Sequence, residues 1–336
     1  MLSHYTIHSF INIISIMKHL LILFAVLLYS NSYSQDIGER LSRIGKDYAI
    51  KYLEPFNNGL GTNLNSGFFN DGGSRYNISV PVRPTFNISI RFFGTFFSKS
   101  DQSFNTTYID TALKSGQRIP VNYTVTNAPT AIGSTSPGTA IGTYQLGGIT
   151  YFDTVSTIGS VVNSTFVPLF VPQLTVGGIF GTDFTIRYLP KIDFGEYGKF
   201  SFYGFAIRHN LSSFIKNIPF DLSVQGGYQK LNVYDTKNAD VLNSNSYFIN
   251  LSASKSLASV IIGYAGLQYE KFSTNVAYTY HNASTNTDYP IAFTIDGDNN
   301  FRGIAGLTVL LGPVKFNADL NLGKKLAISS GLGVGF

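Results

Sequence analysis

Apolar and polar residues alternate one by one along many short stretches of the chain, most clearly over residues 314–323. The polar positions of that stretch are Lys315, Asn317, Asp319, Asn321 and Gly323. Side chains of a β-strand point alternately to its two faces, so the pattern predicts a strand with one apolar and one polar face. Stretches with the same period begin near residues 86, 145, 165, 173, 183, 198, 218, 245, 259, 272, 290, 300, 313 and 326. We therefore expect an all-β protein of about 14 strands, with about 12 as the lower bound.

One segment near the amino terminus follows a helical period instead. Its apolar residues recur at spacings of three and four, with charged residues on the other faces. These apolar positions are Ile37, Leu41, Ile44, Tyr48 and Tyr52. We expect Pro55 to end the helix and the Asn- and Gly-rich residues 57–73 to be irregular. Such a helix either plugs a barrel or caps its mouth, and the pattern leaves both open.

Composition favours a protein whose outer faces do not meet water. Charged residues are only 13% of the chain, against about 25% in soluble domains. Aromatic residues reach 15%, and there is no cysteine for a disulfide or thiolate metal site. A soluble β-sandwich or β-helix would need charge on its exposed faces, whereas these faces carry Phe and Tyr. We therefore favour a transmembrane antiparallel β-barrel with a short N-terminal helical plug or cap.

In such a barrel the polar phase of each strand faces the lumen, because a charge facing lipid costs a few kcal/mol. The lumen-facing candidates are Arg91, Gln225, Lys315, Asn317, Asp319 and Asn321. Each could contact a solute, or could hold the barrel closed by bonding across the lumen.

The last strand-like stretch, Ile328 to Phe336, alternates apolar side chains with Ser and Gly and ends on an aromatic residue. It is similar to the C-terminal strand of bacterial outer-membrane β-barrels. The resemblance implies that Phe336 is a membrane-assembly signal read by the barrel-assembly machinery. It also implies that lipid and lipopolysaccharide of the cell outer membrane surround the barrel.

The first 34 residues have the order of a secretory signal peptide. Lys18 precedes an apolar run over residues 20–28, and small polar residues lead to a cleavage site after Ser34. Met17, just before Lys18, is an alternative translation start. We therefore expect a signal peptide over 1–34, a helical plug or periplasmic segment over 35–73 and a barrel over 74–336.

The longest polar connection runs from Lys99 to Thr143, and long connections of barrels lie on the extracellular side. Counting back from the C-terminus puts His281–Tyr289 in a periplasmic turn, although it is long for one. A miscount of one strand would instead place residues 281–299 in a single outer loop.

Catalytic and metal-binding patterns are weak. His209 precedes Asn210 and Ser212, but catalytic groups converge in space rather than in sequence. Asp296 to Asn300 offers oxygen atoms for calcium, yet these are ordinary turn residues. We expect no enzyme activity, no cofactor and no metal site. The small basic excess, +5, is spread along the chain, so no nucleic-acid partner is expected either.

The signal, the helical segment, the strands and the terminal Phe336 together resemble the architecture of long-chain fatty-acid outer-membrane transporters. Residues 189–195 and 204–210 also resemble stretches of uncharacterised outer-membrane proteins. The first resemblance implies a passive channel or transporter for small apolar or amphipathic molecules, with a small hydrophobic ligand and an N-terminal plug. The alternative is a structural or surface-binding, adhesin-like barrel that acts through the long loop 99–143.

Overall fold

The computed structural model describes residues 44–69, 71, 73, 82–160, 163–193, 195, 198–215, 218–282 and 285–335. In that part of the chain one α-helix, α1 (Lys46–Leu64), precedes the strands. The strands are β1 (Val82–Phe96), β2 (Ser103–Lys114), β3 (Gln117–Pro129), β4 (Thr139–Leu146), β5 (Ile149–Ser156), β6 (Phe166–Ile179), β7 (Thr182–Asp193), β8 (Lys199–Asn210), β9 (Asp221–Tyr234), β10 (Asp240–Ala258), β11 (Ile261–Asn282), β12 (Thr287–Asp296), β13 (Phe301–Leu311), β14 (Val314–Leu322) and β15 (Leu326–Gly335).

Ten strands close into an antiparallel barrel in the order β1-β6-β7-β8-β9-β10-β11-β13-β14-β15. The barrel closes where β15 pairs with β1, with Leu332 opposite Ile90. Strand β12 lies outside the barrel and pairs with the far half of β11. Strands β2 to β5 form a separate sheet, which we call the lid sheet.

The expected number of about 14 barrel strands is wrong, for two reasons. Two long strands, β6 and β11, each look like two strands in the sequence. Pro168 and Pro172 make β6 look interrupted in the sequence. In the structure both prolines pair with β1 and lie before Gln173–Ile179, the part of β6 that pairs with β7, so their missing N–H groups cost no bond to β7. Strand β11 pairs with β13 over Ile261–Tyr269 and with β12 over Ser273–Asn282. The other two surplus segments, near residues 145 and 290, belong to the lid sheet and to β12.

The stretch from Lys99 to Thr143 is not a plain polar loop. It contains β2, β3 and the start of β4. Val121, Tyr123 and Val125 of β3 are buried and alternate with exposed Asn and Thr. Threonine has high β-propensity, so a Thr-rich stretch with buried alternate positions folds as a sheet although its composition looks like that of a loop.

Helix α1 continues through Pro55 to Leu64, so the expected end at Pro55 is wrong, as is the irregular structure expected from residue 57. Tertiary packing overrides the unfavourable propensities there. A Cβ atom on Gly59 would lie 2.1 Å from Cζ of Phe97, and one on Gly61 2.6 Å from Cγ of Phe272. The two glycines therefore allow the helix to lie directly against aromatic side chains of the barrel.

The chain passes through the barrel from one end to the other before the first barrel strand begins. At the N-terminal end of the helix, the Tyr278 hydroxyl donates to the Ile44 carbonyl oxygen over 3.0 Å, beyond the rim where β11 pairs with β12. At the other end, Asp71 lies 3.6 Å from Nζ of Lys315, just after the turn between β13 and β14. We call residues 46–73 the plug segment.

The outward side chains of the barrel form an exposed apolar belt. It includes Phe86, Ile186, Phe205, Ile249, Leu267, Leu307, Leu320 and Leu332. An aromatic row borders the belt toward the lid sheet, formed by Tyr188, Tyr203, Tyr228, Tyr247, Tyr269 and Phe301. No helix among the described residues is both long enough and apolar enough to cross a membrane.

The two ends of the barrel differ in the length of their connections. At one end three of the four links between barrel strands, 180–181, 259–260 and 312–313, have two residues each, and the fourth, 211–220, has ten. The lid sheet and residues 285–300 lie at the other end, so β12 and the described residues beside it form one excursion at that end. Short turns are typical of the periplasmic end, and we therefore assign the lid end to the outside of the cell.

This orientation predicts which residues a membrane-impermeant maleimide reaches on intact cells. The chain has no cysteine, so maleimide labelling of a single-cysteine variant comes from the introduced residue alone. We expect Lys46→Cys at the start of α1 and Thr150→Cys on β5 to be labelled, since both positions are exposed at the lid end. Ser259→Cys, exposed at the short-turn end, should be labelled only after the outer membrane is permeabilised. Labelling of Ser259→Cys but not of Lys46→Cys on intact cells would contradict the assigned orientation.

Candidate functional site in the barrel lumen

The six lumen-facing candidates lie on three barrel strands, β1, β9 and β14. Arg91, Gln225, Asn317, Asp319 and Asn321 are buried, and Lys315 is partly exposed at the short-turn end. Of the expected plug-helix residues, Tyr48 in the plug segment and Ile44 just before it are buried. Ile37, Leu41, Phe336 and the expected signal peptide lie outside the described residues.

The C-terminal end of α1 lies against donors of the wall. The last carbonyl groups of a helix have no partner within it and form the negative end of its dipole. Arg302 Nη2 donates to the carbonyl oxygen of Thr62 over 3.0 Å, and Arg187 Nη1 to that of Leu64 over 3.4 Å. Gln229 Nε2 also donates to the Leu64 carbonyl. The wall therefore satisfies the helix end with charged and amide donors.

The next two residues are held by β10, β11 and β13. Gln268 Nε2 donates to the Asn65 carbonyl oxygen over 2.9 Å, and the Ser246 hydroxyl donates to the Asn65 side chain. Arg302 Nη1 donates to the Ser66 hydroxyl over 2.6 Å. The same guanidinium pairs with Glu270, and both side chains are only 1% exposed. Arg302 thus joins a buried carboxylate of the wall to two residues of the plug segment.

Arg91 holds the plug segment at the next residues, closer to the short-turn end of the barrel. Its Nη2 donates to the carbonyl oxygens of Gly67 and Phe69, the latter over 3.2 Å, and its Nη1 donates to Asn317. These partners are neutral, so Arg91 is a buried cation whose charge meets backbone and amide dipoles. Asp319 of β14 lies nearby and accepts from Ser329 and, over 3.1 Å, from the Tyr264 hydroxyl.

Asp71 anchors the plug segment at the short-turn end. Arg208 Nη2 lies 3.1 Å from one Asp71 carboxylate oxygen, and Lys315 Nζ lies 3.6 Å from the other. Arg208 also pairs with Asp183 of β7 over 2.8 Å and donates to the Asp71 carbonyl oxygen over 3.1 Å. This cluster contains one acid of the plug segment and one of the wall.

Arg187 is buried without a carboxylate partner among the described residues. Its guanidinium lies 3.5 Å from the ring centroid of Phe68 and 4.8 Å from that of Phe93. Its Nε donates to Gln173 over 2.9 Å, while Nη2 is buried with no hydrogen-bond partner in the part of the chain described. A desolvated cation over aromatic faces is stabilised by their quadrupoles.

The lid sheet is bonded to the half of β11 beyond the barrel rim as well as to the plug segment. The Tyr280 hydroxyl donates to Asp110 of β2, and Asn282 Nδ2 donates to the same carboxylate over 3.0 Å. Burial, and then the hydrogen bond to Asp110, raise the pKa of Tyr280, so its hydroxyl stays protonated and remains a donor. On the other side Lys325 pairs with Asp101.

Sequence reasoning missed the three other arginines of the lumen, Arg187, Arg208 and Arg302. A signal for two of them was present. Arg187 lies between Ile186 and Tyr188, and Arg208 precedes His209 in a strand whose apolar phase faces outward. A charge in the inward phase of an alternating strand predicts a lumen position. Arg302 lies in a strand with weak alternation, which gave no such signal.

The residues considered for catalysis or calcium have structural partners. His209 Nδ1 lies 2.9 Å from the Thr182 hydroxyl, and His281 Nδ1 lies 2.7 Å from Asp288. Asn299 Nδ2 donates to Glu270 over 2.6 Å. Among the residues described, no group of three or more His, Cys, Asp and Glu side chains could hold a metal ion.

A closed antiparallel barrel with an apolar, aromatic-bordered outside and a polar inside is the architecture of outer-membrane β-barrels. The protein is therefore a β-barrel of the cell outer membrane. The chain belongs to a family described as a family of unknown function (DUF6588), whose model matches residues 16–336. No curated protein matches the chain.

Three solved structures share limited similarity with it. In vitro folded OmpT of Vibrio cholerae is 11% identical, covering 80% of this chain and 98% of that one with a TM-score of 0.26. The β-domain of the Bordetella autotransporter BrkA is 8% identical, covering 75% and 100% with a TM-score of 0.26. The translocator domain of NalP from Neisseria meningitidis is 11% identical, covering 75% and 87% with a TM-score of 0.25. Similarities at this level carry no argument about function.

Replacing Arg302 with methionine tests how strongly the wall holds the plug segment. Removing one partner of a buried ion pair costs about 3–5 kcal/mol, because the Glu270 carboxylate would stay buried without its cation. We expect a clear fall in the midpoint of thermal unfolding in detergent, measured by circular dichroism. The double variant Arg302→Met/Glu270→Gln removes both charges and should recover part of that loss.

Lys271→Met is the matched control, since Lys271 follows Glu270 on β11 but is exposed. Its unfolding midpoint should stay near that of the wild type. Equal midpoints for Arg302→Met and Lys271→Met would show that the buried pair does not stabilise the protein.

Proposed function

We propose that the protein is a passive outer-membrane channel whose lumen is closed by its own N-terminal segment. The observation that carries the proposal is the kind of contact between the plug segment and the wall. Among the described residues from Thr62 to Asp71, hydrogen bonds and ion pairs hold the plug segment to the wall, and Phe68 and Phe69 also pack on it. Such bonds exchange for bonds to water at a small net cost, so a wall of this kind can be wetted when the plug segment leaves.

The upper half of the plug segment moves with the lid sheet in this proposal, because the two share an apolar core. The ring of Tyr48 lies 5.0 Å from that of Phe104 in β2. The Tyr52 hydroxyl donates to the Gly159 carbonyl oxygen over 3.0 Å, and the Ala131 amide donates to the Tyr52 carbonyl over 2.9 Å. Lifting the lid sheet would therefore withdraw the helix from the barrel.

The nature of the cargo is a separate matter. The resemblance to fatty-acid transporters implies small apolar or amphipathic molecules, and this stays a prediction. The wall groups that bond to the plug segment include arginine, glutamine, asparagine and serine side chains, which bind polar atoms, and they lie beside aromatic rings such as Phe93 and Phe248. Small polar solutes therefore suit this lumen better than apolar ones.

A second function is favoured by the outer face of the lid sheet. Ile109 is 70% exposed and Phe152 is 74% exposed, and Leu113 and Ile141 are also exposed. The register of β2 to β5 places Ile109 and Phe152 on the same row of one face. Exposed apolar residues on one face are typical of a binding surface, which agrees with the surface-binding alternative.

A crosslink between the plug segment and the wall tests the channel directly. A Cβ atom on Gly61 would lie 3.0 Å from Cβ of Phe272, about half an ångström below the separation in disulfides, about 3.5–4.5 Å, so a small shift of the helix allows the bond. In planar bilayers we expect the pair Gly61→Cys/Phe272→Cys to show voltage-induced openings when reduced and none when oxidised. Oxidation should not alter the openings of the single variant Phe272→Cys, which serves as the control. Identical currents in the oxidised and reduced pair would rule out gating by the plug segment.

The surface-binding function predicts a different result for the lid sheet. The variant Ile109→Thr/Phe152→Thr places threonine, which has high β-propensity, at both strand positions and removes the two most exposed apolar side chains of this face. We expect adhesion of expressing cells to a hydrophobic surface to fall, with channel currents unchanged. Thr107→Ser/Thr154→Ser on the same face is the control, and equal adhesion of the two variants would count against the second function.

A further inference from the structure

Basic side chains face the plug segment at successive levels of the lumen. They lie on five different strands and are Arg302, Arg187, Arg91, Arg208 and Lys315. Their partners on the plug segment run in order from Thr62 near the lid end to Asp71 at the short-turn end. The basic groups therefore follow the path that a solute would take through the open barrel.

The carboxylates of the wall do not balance this charge. Asp183 pairs with Arg208 and Glu270 with Arg302, while Asp319 is bonded to hydroxyl and amide groups. Five basic groups thus stand against three wall acids. Asp71, the fourth acid, belongs to the plug segment and would leave with it.

The atoms that now occupy these donors are oxygen atoms. Arg91, Arg187 and Arg302 donate to backbone carbonyls, and Arg208 and Lys315 contact a carboxylate. A guanidinium group matches the paired oxygens of carboxylates and phosphates, which can accept two parallel hydrogen bonds. Three further nitrogen atoms, Nε of Arg91, Nη2 of Arg187 and Nε of Arg302, are buried without a partner among the described residues. The plug segment therefore satisfies this wall only in part.

From these contacts we infer that the open channel selects small oxyanions, namely carboxylates and phosphate esters. The inference rests on the proposed channel function and names its substrate class. A lumen that carries more positive than negative groups, in a low-dielectric surrounding, concentrates anions and repels cations. Neutral and cationic solutes would pass more slowly than anions of the same size.

The test is the reversal potential of the full-length protein in a planar bilayer under a potassium chloride gradient, repeated with potassium acetate and potassium phosphate. We expect the wild-type potential to lie toward the anion equilibrium potential with each salt. In Arg187→Gln the anion-to-cation permeability ratio should fall roughly twofold or more. Arg187 is not paired with an acid of the wall, so its replacement removes one uncompensated positive charge from the lumen. Lys315→Gln, at a partly exposed position, should lower the ratio in the same direction.

Lys271→Gln is the control, since this residue is exposed on the barrel outside the lumen, and its ratio should equal that of the wild type. Currents that favour potassium or show no preference would overturn the oxyanion inference and leave the channel in place. An anion preference that persists unchanged in both Arg187→Gln and Lys315→Gln would overturn the role of the wall groups. A complete absence of current from the wild type and from the reduced cysteine pair would overturn the channel, and this inference with it.

Discussion

The structure depends on hydrogen bonding between the plug segment and the barrel wall, since each carries buried polar groups that need partners from the other. The end of α1 presents carbonyl oxygens that no helix residue can satisfy, and the wall presents buried guanidinium groups that need oxygen atoms. Arg302 and Arg187 at the helix end, and Arg91 below it, meet both needs at once. Without the plug segment these cations would require water or solute, and without the cations the helix end would be buried unsatisfied.

The number of strands is consistent with this arrangement. A barrel of about 8 strands is filled by its own side chains, and each added strand widens the interior. Ten strands leave room that the wall side chains do not fill, and here helix α1 and the residues after it occupy that room. The glycines at positions 59 and 61 allow the helix to fit, because a Cβ atom at either position would collide with an aromatic ring. Plug segment and barrel are therefore matched in size as well as in polarity.

Strand alternation carried most of what could be predicted. It gave the all-β barrel, since alternating faces follow from a period of two. It did not give the strand number, because a strand such as β11 changes partners without a break in its sequence pattern. The helix was expected to stop at Pro55, and local propensity could not show that packing on the barrel and lid sheet would carry it further. The partners of Arg187 could not be inferred, since Phe68 and Phe93 reach it only in the folded lumen.

The central claim is that the plug segment fills the lumen and is bonded to the wall there. Hydrogen exchange of the full-length protein in lipid nanodiscs, read by mass spectrometry on peptides that cover residues 57–67, tests it most directly, because exchange reports local opening. The account predicts protection comparable to that of peptides from the barrel strands. Exchange of these residues at the rate of an exposed loop such as 235–239, with the barrel strands still protected, would contradict it.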